Sequence, residues 1–253
     1  MSQLKNFGLR LPESQPMHHS LSIATTAGII PFMDEMFEVR ELGLLPYQEA
    51  WDIQKEIHSA IVAGESAPTL LLVEHPPVIT FGKGGGRQNL LYSESTLAAR
   101  GFELYDVERG GNVTYHGPGQ LVGYPLFPVG RRVLRFLRTL EGAMISVLCK
   151  LGINATGSPG YAGVWVGTEK VVAIGVAVRR DVSLHGFALN VATNLQHFET
   201  IVPCGIPDRG VTSLTKLLRR SVTIEEICPL VIEAMHAAFK KPSTDLKRRS
   251  HEL

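Results

Sequence analysis

The chain holds 253 residues, 44% hydrophobic and 19% charged, so it can bury a substantial core. Its 25 Lys and Arg against 24 Asp and Glu exclude a global electrostatic attraction to nucleic acid or to a membrane surface. Cys149, Cys204 and Cys228 are odd in number and far apart, which speaks against a disulfide framework and for a reducing, cytoplasmic compartment.

Residues 1–36 read as an N-terminal extension. They lack the strong apolar block and small-residue cleavage site of a secretory signal. A flexible tail, or a start codon assigned upstream of Met33 or Met36, accounts for them. From 37 to 240 the pattern is one α+β domain, with a mixed, largely antiparallel sheet and flanking helices, and 241–253 is a polar tail. No apolar run reaches the ~18 residues of a membrane span. Tyr47, Ala50, Trp51, Ile57 and Ile61 recur at helical spacing up to Gly64, a helix stop. TLLLVEH and VITFG read as short strands parted by Pro76 and Pro77, SESTLAARG as a brief helix closed by Gly101, and GFELYDVER as a strand again. A long helix is expected over 132–151, with Phe136, Leu140, Met144 and Val147 on its apolar side. AGVWV, KVVAIGVAV and FALNVATNL read as consecutive antiparallel strands. A last helix opens on the capping box Thr223 and Glu226 and runs to Phe239, with Pro229 as a kink.

The common cofactor signals are missing. ITFGKGGGRQNLL follows a strand but has neither Walker nor dinucleotide glycine spacing, so by itself it is a flexible loop. There is no HExxH, no paired cysteine spacing and no GxSxG. Two segments are stranger than a core requires. RGGNVTYHGPGQLVGYPL packs five glycines with Arg109 and His116 between strand-like ends, which suits a binding loop and equally a tight connection with a satisfied histidine. Lys170 opens an otherwise apolar strand, where a lysine is ordinarily a solvated edge guard. In IVPCGIPDRGVTSL, Cys204 sits between Pro203 and Gly205, either a small buried hydrophobe or a nucleophile on a stiff turn.

RGGNVTYHGPGQLVGYPL, EKVVAIGVAV, HGFALNV and IVPCGIPDRGVTSL, in that order, resemble the lipoyl(octanoyl) transferase family, also called lipoate-protein ligase B. The resemblance implies a biotin/lipoate protein ligase-like fold and an acyltransferase. Such an enzyme takes an octanoyl or lipoyl group from acyl carrier protein to a lysine of lipoyl domains, those of 2-oxoacid dehydrogenase complexes and the glycine cleavage H protein. This is the first step of endogenous protein lipoylation. It implies Cys204 as the acyl-thioester nucleophile and Lys170 as the group that lowers its pKa. Substrate contacts then fall on Arg109, Gly110, Gly111, Asn112, Val113, Thr114, Tyr115 and His116, on Ala173, Ile174 and Gly175, and on Gly186, Phe187 and Ala188. No metal and no cofactor are implied.

The chemistry asks for these residue types. A thioester conserves the activation of the acyl group between donor and acceptor. An unperturbed thiol, pKa about 8.5, is only a few per cent thiolate at neutral pH, and a neighbouring ammonium favours the anion. Lys170 then serves as proton shuttle, and the backbone amides of Gly205 or Ile206 as oxyanion donors. Cys149 lies near a helix C-terminus, where the dipole disfavours a thiolate, and Cys228 falls on an apolar stripe. Arg131, Arg135 and Arg138, with Arg132, form a basic face on the long helix, which is either a plain solvated surface or a dock for an acidic carrier. Two rival functions remain: an ATP-dependent lipoate or biotin ligase working through an acyl-adenylate, and a non-catalytic binder of acylated carriers.

Overall fold

The computed structural model describes residues 36–202 and 210–240, which belong to one compact unit of the chain. The expectations for the N-terminal extension, the polar tail and the turn bearing Pro203, Cys204, Gly205, Ile206 and Pro207 lie outside them.

In chain order the elements are β1 (Glu38–Leu44), α1 (Tyr47–Ala63), β2 (Thr69–Glu74), β3 (Val78–Phe81), α2 (Glu94–Ala99), β4 (Glu103–Asp106), β5 (Val113–His116) and β6 (Gln120–Leu126). There follow α3 (Val133–Lys150), β7 (Thr156–Ser158), β8 (Tyr161–Val166), β9 (Glu169–Arg179), β10 (Val182–Asn190), β11 (Gly210–Val211), α4 (Leu214–Leu218) and α5 (Ile224–Phe239). The larger sheet has the order β1-β2-β6-β10-β9-β8-β7, with β11 beside the head of β9. Only β1 on β2 and β11 on β9 run parallel there. A smaller sheet, β4-β3-β5, stands apart from it. The mixed, largely antiparallel α+β architecture expected from the sequence is the one observed.

Alternation along the strands builds two apolar layers on the large sheet. Leu70 and Leu72 of β2 face the layer that α3 and α5 cover with Leu140, Met144, Val147 and Val231. Leu71 and Val73, one residue out of phase, face Ala50 and Ile57 of α1. α1 stops at Gly64, whose φ of +76° is the left-handed cap read from the sequence. The Ser93 and Thr223 side chains accept from Thr96 N and Glu226 N to start α2 and α5. Pro229 lies within α5.

Two segments differ from the sequence expectation. β1, EVRELGL, is a largely exposed edge strand whose charges hide any apolar alternation. The 109–126 segment is less loop than expected: a single turn over 117–119 separates β5 from β6, and β6 is an interior strand buried along its whole length. Gly123 is there for packing, since a Cβ would meet Phe187 at 2.1 Å.

Candidate active site

Stretches of chain far apart in sequence converge on a cavity of about 540 Å³, within the range of roughly 300–1,000 Å³ common for small-ligand sites. Arg109, Gly110, Gly111, Asn112, Val113, Thr114 and His116 line one part, and Lys170, Ala173, Ile174 and Gly175 of β9 another. Gly186, Phe187 and Ala188 come from β10, and the first turns of α3 with the β7–β8 turn complete the wall. Tyr115 is the expected contact that does not line it. The side chain belongs to the core cluster with Phe81, Phe102 and Phe198, and its hydroxyl meets His197 Nδ1 at 2.7 Å.

The Arg109 turn is clamped from two sides. Gly110 N donates to Val176 O at 2.9 Å, and Gly175 supplies the clearance, because a Cβ there would lie 3.0 Å from Gly110 O. Across from it the GKGGG segment, which alone reads as a flexible loop, is tied down: Lys83 N donates to Arg109 O and Gly84 N to Gly111 O, both at 2.9 Å. The guanidinium is buried. Its Nη2 donates to Thr80 O at 2.8 Å and Thr80 Oγ1 at 2.9 Å, and Nη1 to Gly110 O at 3.1 Å.

Lys170 is also buried, at 9% exposure, and is not the solvated edge residue its place at a strand end suggests. The reason is topological, since β9 lies inside the sheet between β8 and β10, with β11 against its head. Nζ stands over the Trp165 ring, 4.7 Å from the centroid. Gly163 makes room for the stem: its φ is +132°, and a Cβ there would be 2.5 Å from Val172 O and 3.5 Å from Lys170 Cδ and Cε. Gly163 N donates in turn to the buried Glu141 carboxylate at 3.1 Å. Gly210 and Val211, with which the chain rejoins the sheet beyond residues 203–209, pair in register with Glu169 and Lys170, and Thr212 N donates to Lys170 O at 3.0 Å.

Another part of the cavity wall is polar. His116 donates from Nδ1 to Gln120 Oε1 at 2.8 Å, and burial foremost pushes its pKa down to about 3. Behind it His75 donates from Nδ1 to Leu45 O at 2.8 Å, so Nε2 accepts from the Tyr124 hydroxyl at 2.7 Å; burial lowers this pKa to about 4. His185 takes a φ of +58° within β10, a costly conformation for a non-glycine residue, and its N–H is held by Gln54 Oε1 at 3.0 Å. Its Nε2 lies 3.3 Å from Glu108 Oε2. Burial lowers the His185 pKa, and contact with that ring holds Glu108 down to about 2. Sequence reasoning missed Tyr47, Tyr124, Tyr161 and His185, all of which line the cavity. His185 had a signal, as a polar residue inside the apolar run that precedes Gly186.

The remaining thiols behave as their sequence surroundings suggest. Cys149 is exposed on α3, whereas Cys228 is buried in the core, where burial raises its pKa to about 12.

A family model described as the lipoyl protein ligase A/B catalytic domain matches residues 46–236. An octanoyltransferase from Deinococcus radiodurans is 45% identical over 226 residues, covering 85% of this chain and 67% of the relative. Another from Caldicellulosiruptor saccharolyticus is 49% identical over 191 residues, covering 74% and 81%. Among solved structures, a chain of an archaeal lipoylation system, a bi-partite lipoate protein ligase and its E2 lipoyl domain from Thermoplasma acidophilum, aligns with a TM-score of 0.62. That match has 20% identity and covers 80% of this chain and 84% of the other, a likeness of fold alone.

Proposed function

Since the chain belongs to the lipoyl protein ligase A/B family and is an acyltransferase of the octanoyltransferase kind, we propose that it forms a thioester on Cys204. The donor is octanoyl acyl carrier protein, and the acceptor is a lysine of a lipoyl domain, as in 2-oxoacid dehydrogenase complexes or the glycine cleavage H protein. The observation that carries this reading is the register of Val211 with Lys170: the short strand that follows Cys204 in the chain lies beside the one lysine that lines the cavity among the described residues.

In the resting pair Cys204 is a thiolate and Lys170 an ammonium. The sulfur attacks the donor carbonyl, and the tetrahedral oxyanion is stabilised by amides that follow Cys204. Collapse breaks the bond to the carrier sulfur, which leaves with the proton of Lys170. The acceptor amine then attacks the Cys204 thioester, neutral Lys170 removes one amine proton, and the Cys204 thiolate departs. The pair is regenerated and no external base is consumed. The acyl chain lies along the apolar wall of Ala173, Ile174 and Phe187.

Intact-protein mass after mixing with octanoyl carrier protein tests this. One added octanoyl group is expected, with the thioester lost in Cys204→Ser. An adduct that forms only with free octanoate and ATP would point instead to the adenylate route, and tight binding without any adduct to a mere carrier-binding protein.

A further inference from the structure

The sequence is almost neutral, yet the arginines at the start of α3 are gathered at one place. Arg131, Arg132 and Arg135 are exposed and have no carboxylate partner among the described residues. Arg138, which belongs with them by helical spacing, is committed elsewhere, donating from Nη1 to the buried Glu141 at 2.5 Å. The fold replaces it. Val129 N and Gly130 N both donate to Asp181 O, at 2.8 and 3.0 Å, and Pro128 bridges Val182, so the β9–β10 turn is stitched to the segment that leads into α3. This brings Arg180, exposed and likewise without a carboxylate partner among the described residues, next to Arg131. In the midst of these cations Leu134 is 77% exposed. Val133, one residue before it, and Leu137, three after it, line the cavity, as does the exposed Tyr161.

An exposed leucine ringed by unpaired arginines is a costly surface to leave bare, and its position at the cavity mouth gives it a use. We propose that Arg131, Arg132, Leu134, Arg135 and Arg180 form the docking surface for the acyl donor, an acidic carrier domain that presents its acyl thioester on a flexible arm. The inference rests on the proposed transfer from a carrier. Acidic side chains of the carrier meet the arginines, an apolar side chain at the base of its arm covers Leu134, and the arm enters between Val133, Leu137 and Tyr161. Attraction of this kind acts mainly on the rate of encounter and weakens with salt. The acceptor domain needs no share in this surface.

The test separates docking from chemistry. Arg131→Glu and Arg135→Glu, singly and together, are assayed with octanoyl carrier protein and with octanoyl pantetheine, which carries the same thioester without the carrier fold. The double variant should lower kcat/KM for the carrier about tenfold or more, with the wild-type dependence on salt flattened. Its rate with octanoyl pantetheine, and its KM for the acceptor domain, should stay at wild-type values. Lys55→Glu, on α1 across the sheet, should change neither, and Leu134→Ser should weaken carrier use without altering the salt dependence. Equal losses with both donors, or a loss confined to the acceptor, overturn the proposal. An absence of acyl-enzyme from octanoyl pantetheine in the wild type would instead strike at the Cys204 thioester, not at the docking surface.

Discussion

Two buried cations line the cavity, and they sit in different surroundings. Arg109 is fixed by directional bonds to Thr80 and Gly110, and its turn is pinned between β9 and the GKGGG segment. Lys170 lies in a cradle that has the Trp165 indole face beside its ammonium and the space over Gly163 beside its stem. A guanidinium cannot release its proton in a protein, so rigid anchorage suits it as a fixed charge. A lysine ammonium, unlike a guanidinium, can give up its proton, which suits the shuttle proposed for Lys170. Burial lowers the pKa of His75, His116 and His185, whereas the proposed proton transfer falls to Lys170.

The sharpest way to break that contrast is to remove the lysine. Lys170→Met keeps an apolar stem and is expected to slow acylation of Cys204 by about 10²–10⁴-fold at neutral pH, read from the time course of the intact-mass adduct. Raising the pH should recover part of the acylation rate as an unassisted thiol, pKa about 8.5, ionises. A variant that acylates at the wild-type rate at neutral pH would make the contrast with Arg109 a matter of packing only.

The next effect concerns the buried histidines. The folded pKa values of His75 and His116, about 4 and about 3, lie below the ordinary 6.5, so the unfolded chain binds protons first. Stability is therefore complete above pH 6.5 and falls as pH drops towards 4. Glu108, lowered from 4.5 to about 2, adds a loss in the same direction below pH 4.5. Near pH 5 the two histidines should each cost about 2 kcal/mol. Urea midpoints at pH 7 and pH 5 check this, and His116→Gln should shrink the difference. A midpoint that does not move would mean that these rings are protonated in the folded protein.

Much of this arrangement is legible in the sequence, for physical reasons that differ between residues. Helices with a clear apolar stripe and a cap, such as α1 with Gly64 and α5 with Thr223, announce themselves because burial and capping leave a local pattern. The motif residues of β9 and β10 come together at the cavity because the antiparallel register sets Ala173, Ile174 and Gly175 opposite Ala188, Phe187 and Gly186. What the sequence hides is non-local. Thr80 and Gln54 look like an ordinary strand residue and an ordinary helix residue, yet one anchors Arg109 and the other holds the His185 backbone. The burial of Lys170 follows from β8, β10 and β11 surrounding it, which no window around residue 170 contains. Tyr115 falls within a motif yet faces the core, since a motif read as a string takes no account of the strand's two sides.

Gly163 shows how much the lysine's cradle depends on shape. In Gly163→Ala the new Cβ would press on the Val172 carbonyl and crowd the lysine stem, in a backbone conformation that alanine resists. A loss of about 1–3 kcal/mol is expected from the backbone alone, seen as a lower thermal midpoint. The acylation rate should fall further than that midpoint explains when assayed well below it. A variant that is destabilised but acylates normally would separate the cradle from catalysis.

The smallest effect is the most discriminating. Trp165 and Lys170 face each other across β8 and β9, and the ring attracts the ammonium through its quadrupole. Trp165→Leu and Trp165→Phe both remove volume from a buried site, so both should lower the thermal midpoint, but only phenylalanine keeps a π face. A cation–π contact of about 0.5–2 kcal/mol corresponds to roughly a 2- to 30-fold slower acylation in the leucine variant, with partial recovery in the phenylalanine variant. If the two variants lose rate in proportion to stability, Trp165 merely fills space and Lys170 is oriented by other contacts. Recovery by the ring alone would instead place the indole among the groups that position the lysine. At Arg109 the corresponding test is on Thr80, whose carbonyl and hydroxyl accept from the guanidinium.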